Sequence, residues 1–295
     1  MIHKPAITPQ LTKEWKYWAV FAVLAFIWGG SFILIKKGLI HFTPMQVGTM
    51  RIAVSALAFL PIYAFSNVKF PKGKVGIVTL VVLLGNGIPA VLFAIAETRI
   101  GSAVTGVLNS LTPIFALLIG VLFFRTPFKR NYIIGLVLGC IGIAVLMFSE
   151  RDWQVSSYVL FVVLGTVCYG ASANLVKHYC QDVHPIALTT VGFFPLGVIS
   201  IIILWLTGAG DVMMTKEAWK VSMPALLGLA LICTVFANII FYWLIQKTSA
   251  IFGSAIAYAI PCMALVWGSV DGEIITWFHL AGFGFIIAAI YNLRR

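Results

Sequence analysis

Charge is what this sequence has least of. Asp, Glu, Lys and Arg together make up 10% of its 295 residues, against 61% hydrophobic residues, and the mean hydropathy is +1.03. A water-soluble domain of this length needs far more polar surface than that, so the solvent for most side chains is lipid. Acids are scarcer still: nine in all, and every one except Glu97 falls in a joint or a tail, which argues against an ion pump built on buried carboxylate relays. The five cysteines, Cys140, Cys168, Cys180, Cys233 and Cys262, form no C-x-x-C pair and read as small packing residues. No phosphate loop, metal-ligand spacing or nucleophile motif occurs, so neither a cofactor nor a metal is expected. The formal charge of +11 suggests no nucleic-acid partner, because no domain lies outside the apolar runs to present a basic face.

Long hydrophobic runs are what the sequence does have. Val75 to Ala96, Ile100 to Phe124, Trp153 to Val176, Pro185 to Gly210, Val221 to Gln246 and Thr248 to Val270 carry no charge at all. Tyr17 to Ile35, Asn131 to Ser149 and Ile274 to Leu293 are nearly as clean, and Phe42 to Val68 is interrupted only by Arg51. A helix needs about 20 apolar residues to cross the hydrocarbon core, so the expectation is an all-α integral membrane protein of ten transmembrane helices. Runs of this length without period-two alternation exclude barrel strands. Met1 to Lys16 reads as a cytoplasmic tail, since the apolar run after it is too long for a signal peptide and lacks a small-residue exit. Basic residues favour the side of the N-terminus by about two to one, led by Lys69, Lys72, Lys74 and Arg125, Lys129, Arg130, which puts both termini in the cytoplasm.

The chain also repeats itself. One constant shift lays Trp28-Gly29-Gly30-Ser31 on Tyr169-Gly170-Ala171-Ser172, Lys36 on Lys177 and Pro44 on Pro185. A second, slightly longer, lays Pro113 on Pro261, Ala116 on Ala264, Leu117 on Leu265 and Gly120 on Gly268. The halves are then residues 17–150 and 151–295, five spans each. An odd number of spans forces the second copy to enter the membrane from the opposite side, so the repeats are inverted, an architecture of secondary transporters with a site near the midplane.

These features resemble the EamA-type branch of the drug/metabolite transporter superfamily. The likeness covers essentially the whole chain and rests on several features. They are the aromatic-Gly-small-Ser motif in spans one and six, a Pro opening spans two and seven, Arg51, and Pro113 with Pro261 in spans four and nine. Gly272-Glu273 matches the family's usual Gly-Glu ending of the ninth span, whereas Phe124-Arg125 departs from it in the fourth. The resemblance implies export or exchange of amino acids and related metabolites, with spans five and ten packed away from a central cavity.

Candidate path residues follow from polarity where lipid would not tolerate it. Trp28 and Tyr169 lie well inside their spans, where N–H and O–H need partners or a wet cavity; Ser31 shares the motif, whose glycines equally suit close helix packing. Asn86, Asn109, Asn174 and Asn238 sit within spans three, four, six and eight, as interhelical glue or as ligands. Pro113 and Pro261 free the carbonyls of Asn109 and Ala257 for other donors. Tyr242 and Tyr258 complete the set. Arg51 costs about 3 kcal/mol at a membrane centre and admits three readings: snorkelling, a lock onto carbonyls, or a ligand for a substrate carboxylate. Lys36 and Lys177 read as interfacial anchors, Glu97 as a boundary residue, and His178 and His184 as water-facing. The function expected is transport of small metabolites, amino acids or related zwitterions, across the inner membrane by alternating access, with export favoured. The alternatives are a lipid-modifying membrane enzyme, which needs clustered acids or histidines that are missing, and a non-saturable channel. Partners are then the substrate and membrane lipid; the small-residue face Gly135, Gly139, Gly142 suits packing within the fold or a homodimer.

Overall fold

The second apolar run begins where its caps dictate. Thr43 Oγ1 accepts from the Gln46 N–H at 3.3 Å, Gln46 Oε1 accepts from the Thr43 N–H at 3.0 Å, and Pro44 takes the first helical position. The helix therefore starts at Pro44, the proline expected to open the second span, and Gln46 Nε2 ties it to the Thr207 carbonyl at the far end of another helix. This is a computed structural model, and it describes residues 15–99, 102–127, 130–147, 158–270 and 277–294. Most of the N-terminal tail and the Gly272-Glu273 pair lie outside them.

The described residues are helical, with no strand among them. In chain order the main elements are α1 (Trp15–Gly38), α2 (Pro44–Ala64), α3 (Val75–Ala96) and α4 (Ser102–Asn109 and, after a short break, Thr112–Phe124). Next come α5 (Arg130–Met147), α6 (Val159–Tyr179), α7 (Pro185–Leu206) and α8 (Ser222–Lys247). Then follow α9 (Ala250–Ser254 and Ile256–Val270) and α10 (Trp277–Arg294). Two short helices, Ala209–Met213 and Lys216–Lys220, lie between α7 and α8.

Six of these, α1, α2, α3, α6, α7 and α8, are long and apolar enough to cross a bilayer; the apolar helices in α4, α5, α9 and α10 are shorter. In α4 and α9 the interruption has a local cause. In α4 the helix stops at Asn109 and restarts at Thr112 with Pro113 in its first turn, where a missing N–H costs nothing. In α9 the break falls at Ala255, after Gly253-Ser254. Hydropathy does not register a broken helix, because the break leaves composition unchanged. α1 bends at Gly29-Gly30, where the backbone bonds lengthen to 3.3 and 3.4 Å, and Ser31 Oγ donates to the Trp28 carbonyl at 2.7 Å.

The packing partners come in matched sets. α2 lies along α7 and α5 along α10; α6 packs on α3 and α4, while α1 packs on α8 and α9. Small residues set the closest approaches. A Cβ on Gly170 would lie 2.7 Å from the Ala116 backbone nitrogen, so α6 and α4 meet backbone to backbone, and one on Gly139 of α5 would lie 2.6 Å from the Tyr258 ring of α9. One apolar cluster gathers the ends of α1 and α3 with the beginnings of α2, α6 and α8, so neighbouring helices run in alternating directions. At the other end Lys74, between α2 and α3, pairs with Asp182, between α6 and α7, and also donates to the Tyr179 carbonyl at 2.9 Å. The hydrogen bond from Lys74 holds the Asp182 carboxyl below the usual carboxylate range.

Candidate functional site

Two helices carry a single wide π turn, Leu83–Gly87 in α3 and Leu231–Phe236 in α8. Such turns leave backbone groups without their usual partners and are frequent at functional sites. In α8 the released groups are taken by side chains. Trp28 Nε1 donates to the Cys233 carbonyl at 2.9 Å, Asn238 Nδ2 to the Thr234 carbonyl at 2.8 Å, and the Thr234 hydroxyl reaches back to the Leu229 carbonyl at 2.8 Å. Beside these turns lies a cavity of about 80 Å³, lined from α1, α2, α3, α4, α6, α8 and α9.

A polar network crosses that cavity. Asn86 and Asn238 form a reciprocal amide pair, at 3.1 and 2.9 Å, and Asn86 Nδ2 also donates to the Tyr242 hydroxyl at 3.1 Å. Tyr242 is bonded in turn to Ser172, whose hydroxyl donates to the Val81 carbonyl at 2.8 Å. Every amide proton of the pair is thus satisfied inside the bundle, which removes the cost of burying them. Arg51 is the one charged residue among those lining the cavity, and it is 8% exposed. Its Nε donates to Thr234 Oγ1 at 2.7 Å, and Tyr169 lines the same cavity. The guanidinium therefore points into the bundle and is held there, rather than snorkelling toward an interface.

The proline positions behave as backbone arithmetic requires. The Asn109 carbonyl, which Pro113 cannot bond, accepts from the Thr112 hydroxyl at 2.7 Å. The Ala257 carbonyl, left free by Pro261, accepts from the Ser110 hydroxyl at 2.8 Å, joining α4 to α9. Neither proline lines the cavity, although Asn109, Thr112 and Ala257 do.

Of the residues singled out in the sequence, Trp28, Ser31, Arg51, Asn86, Asn109, Tyr169, Asn238 and Tyr242 line this one space, and Pro113, Asn174, Tyr258 and Pro261 lie elsewhere. Asn174 donates to the Ala116 and Gly170 carbonyls at 2.8 and 2.9 Å, binding α6 to α4 where the two backbones touch. Tyr258 is fully buried over Gly139, its hydroxyl without a hydrogen-bond partner among the described residues. Ser172, Thr112, Ser254, Phe93 and Phe241 line the cavity and escaped the sequence reading. Ser172 had a signal, as the counterpart of Ser31 in the repeated motif; a phenylalanine in an apolar helix has none. Lys177 is more than an interfacial anchor. Its ammonium donates to the Gln246 and Thr248 carbonyls at 3.2 and 2.6 Å, while Gln246 Nε2 donates back to the Cys180 and Val183 carbonyls at 2.6 and 2.7 Å. The ends of α6 and α8 are latched together.

Apolar helices long enough to span a bilayer, packed around a cavity lined by both apolar and polar side chains, define a multi-pass membrane protein. The chain matches the EamA-like transporter family over residues 16–148 and again over 156–294, and it belongs to that family. It is 25% identical to an uncharacterized transporter of Archaeoglobus fulgidus over 95% of this chain and 99% of that one. It is 23% identical to a probable amino-acid metabolite efflux pump of Salmonella typhimurium, covering 90% of each. It is also 22% identical to the uncharacterized inner membrane transporter YedA of Escherichia coli, over 92% of this chain and 88% of the relative. A solved crystal structure 11% identical in sequence superposes with a TM-score of 0.73 over 95% of this chain and 96% of its own, a likeness of fold alone.

Proposed function

We propose that this protein is a secondary transporter or facilitator that moves small zwitterionic metabolites, amino acids or their relatives, across the inner membrane by alternating access. The observation that carries the reading is the cavity itself. It is lined from both halves of the chain, holds Arg51 as its single charged side chain, and surrounds it with amides, hydroxyls and aromatic rings. A planar guanidinium suits a carboxylate, and the rings and amide oxygens suit an ammonium group, whereas the absence of acids among the lining residues disfavours a polycation. The probable amino-acid metabolite efflux pump among the relatives supports both the substrate class and outward transport.

The moving parts are two inverted five-helix halves, residues 17–150 and 151–295. The family match that falls twice along the chain supports this division, as do the matched packing sets and the paired π turns of α3 and α8. The halves rock about the cavity so that one mouth closes as the other opens. Both termini lie in the cytoplasm, where the basic joints belong. α5 and α10 pair with each other outside the path, and the small-residue face of α5 is taken up within the fold, where Gly139 lies against the Tyr258 ring of α9. The test is uptake of a panel of labelled amino acids into proteoliposomes, with and without a proton gradient. Saturable uptake of at least one zwitterion supports the reading; a flux linear in concentration for every member of the panel rejects it in favour of a channel.

A further inference from the structure

Glu97 is an acid whose carboxylate has no hydrogen-bond partner among the described residues. It caps the end of α3, one turn beyond the cavity-lining Phe93, whose carbonyl accepts its N–H at 2.9 Å. Both of its carboxylate oxygens are buried and have no hydrogen-bond donor among the described residues. The rings of Phe32 and Tyr169 both lie against that of Phe93, and all three line the cavity. Around them Ile35, Ala96, Leu226 and their neighbours close the end with apolar side chains. A carboxylate in such a place escapes the cost of burying a bare charge by taking up a proton. Burial accordingly pushes the Glu97 carboxyl well above the ordinary carboxylate range, against an opposing pull from Lys36 at the end of α1.

Several other titratable or charged groups lie toward this end among the described residues, including Asp211, Lys216, Glu217 and Lys220 on the two short helices between α7 and α8, whose Ala218 joins the same apolar cluster. Lys37 follows Lys36, His41 is bonded to Ser222 at 2.8 Å, and Arg99 follows α3. On the helices packed against α3 there are Tyr158 and Tyr169, beside and in α6, and Arg51 in α2, which is engaged with Thr234. Lys36 is the charged group that acts on Glu97.

We propose that Glu97 is a proton-binding site that links the opening of this end of the bundle to the loss of its proton. In the packed arrangement the carboxyl is neutral. When the end opens, water reaches it, the O–H bond breaks, the proton passes to solvent, and the carboxylate is left facing Lys36. Closing requires the reverse. Because the closed arrangement binds the proton more tightly, acid favours closure and alkali favours opening. Under the orientation proposed above this end faces outward, so an acidic exterior speeds closure of the emptied transporter. The proposal rests on the alternating-access reading, and it gives a role to the one acid that the sequence sets apart from the joints and tails.

The test uses the full chain in lipid vesicles and needs no substrate. Infrared difference spectra between pH 5 and pH 9 should show a protonated carboxyl band that disappears as pH rises and is missing in Glu97→Gln. Lys36→Met should move its midpoint to higher pH, since the cation that favours the ionised form is gone. In parallel, Ala96→Cys in a cysteine-free background should label with an impermeant maleimide roughly tenfold faster at pH 9 than at pH 6, after normalisation to an exposed Lys216→Cys. In Glu97→Gln that normalised rate should be flat and low, while Glu97→Asp retains a pH dependence. A carboxyl band and pH-dependent labelling that persist unchanged in Glu97→Gln overturn the proposal. Because neither readout involves transport, failure of the amino-acid panel would reject the transporter reading and leave this result standing.

Discussion

Arg51 shows how one residue can be expensive and still retained. Its Nε is fixed on Thr234, a bond that a lysine ammonium cannot reproduce at that position, so the arrangement specifies the guanidinium and not merely a positive charge. Replacing it by Lys or Ala should therefore have similar consequences. Each is expected to weaken the apparent substrate affinity by about 2 kcal/mol, roughly thirtyfold, in proteoliposome uptake. Full retention by Arg51→Lys would show that charge alone suffices. The Asn86–Asn238 pair makes a second, independent prediction. Asn86→Ala strands two hydrogen-bonding groups of Asn238, and the converse change strands two of Asn86. The double variant should consequently lose less thermal stability than the two single losses added together, with a coupling of about 0.6–1.7 kcal/mol. Strict additivity in the melting experiment would mean that the pair is not formed.

At the scale of whole helices, the contact between α4 and α6 decides where the cavity wall stands. Gly170 permits backbone contact there, and no flexible side chain is available to yield, so Gly170→Ala should lower stability by about 1–3 kcal/mol through overpacking. Gly228 offers the comparison: an added Cβ meets only Leu34 Cδ1 at 3.7 Å, so Gly228→Ala should leave the melting temperature unchanged or slightly raised. Equal losses would contradict the close approach. Transport should separate the helices in the same way. Ile134 on α5 and Ile287 on α10 are 39% and 52% exposed and lie away from the cavity, so Ala at either position should keep uptake within about twofold of the parent. Trp28→Ala removes both an indole donor to the π turn and a cavity wall, and should abolish most of it.

For the molecule as a whole, orientation is the quantity most easily tested. Asn67 and Lys216 are both exposed and lie on joints assigned to opposite sides of the membrane. With the five native cysteines removed, Asn67→Cys should resist an impermeant thiol reagent in intact cells and Lys216→Cys should react; the opposite pattern would invert the topology. The double family match and the six spanning helices already agree on a multi-pass bundle. What labelling adds is the sense in which it is inserted.

Hydropathy alone determined that this chain lives in lipid, because ten long apolar runs, interrupted by charge only at Arg51, admit no other solvent, and the recurrence of Trp28-Gly29-Gly30-Ser31 as Tyr169-Gly170-Ala171-Ser172 pointed to a two-part plan. Polar residues inside apolar runs pointed to a site, and Asn86, Asn238, Trp28 and Arg51 do meet at one cavity. Which polar residues serve it and which serve packing was decided only in three dimensions. Asn174 and Asn109 look alike in sequence, yet one faces the backbone of α4 and the other the cavity, since a rotation of about 100° per residue separates those fates and composition carries no phase. The π turns, the broken α4 and α9, and the partnerless burial of the Glu97 carboxyl were not legible there, although Glu97 itself stood out as the acid outside the joints and tails. Each depends on which backbone and side-chain partners a neighbouring helix supplies, and that is a property of packing, not of the residue.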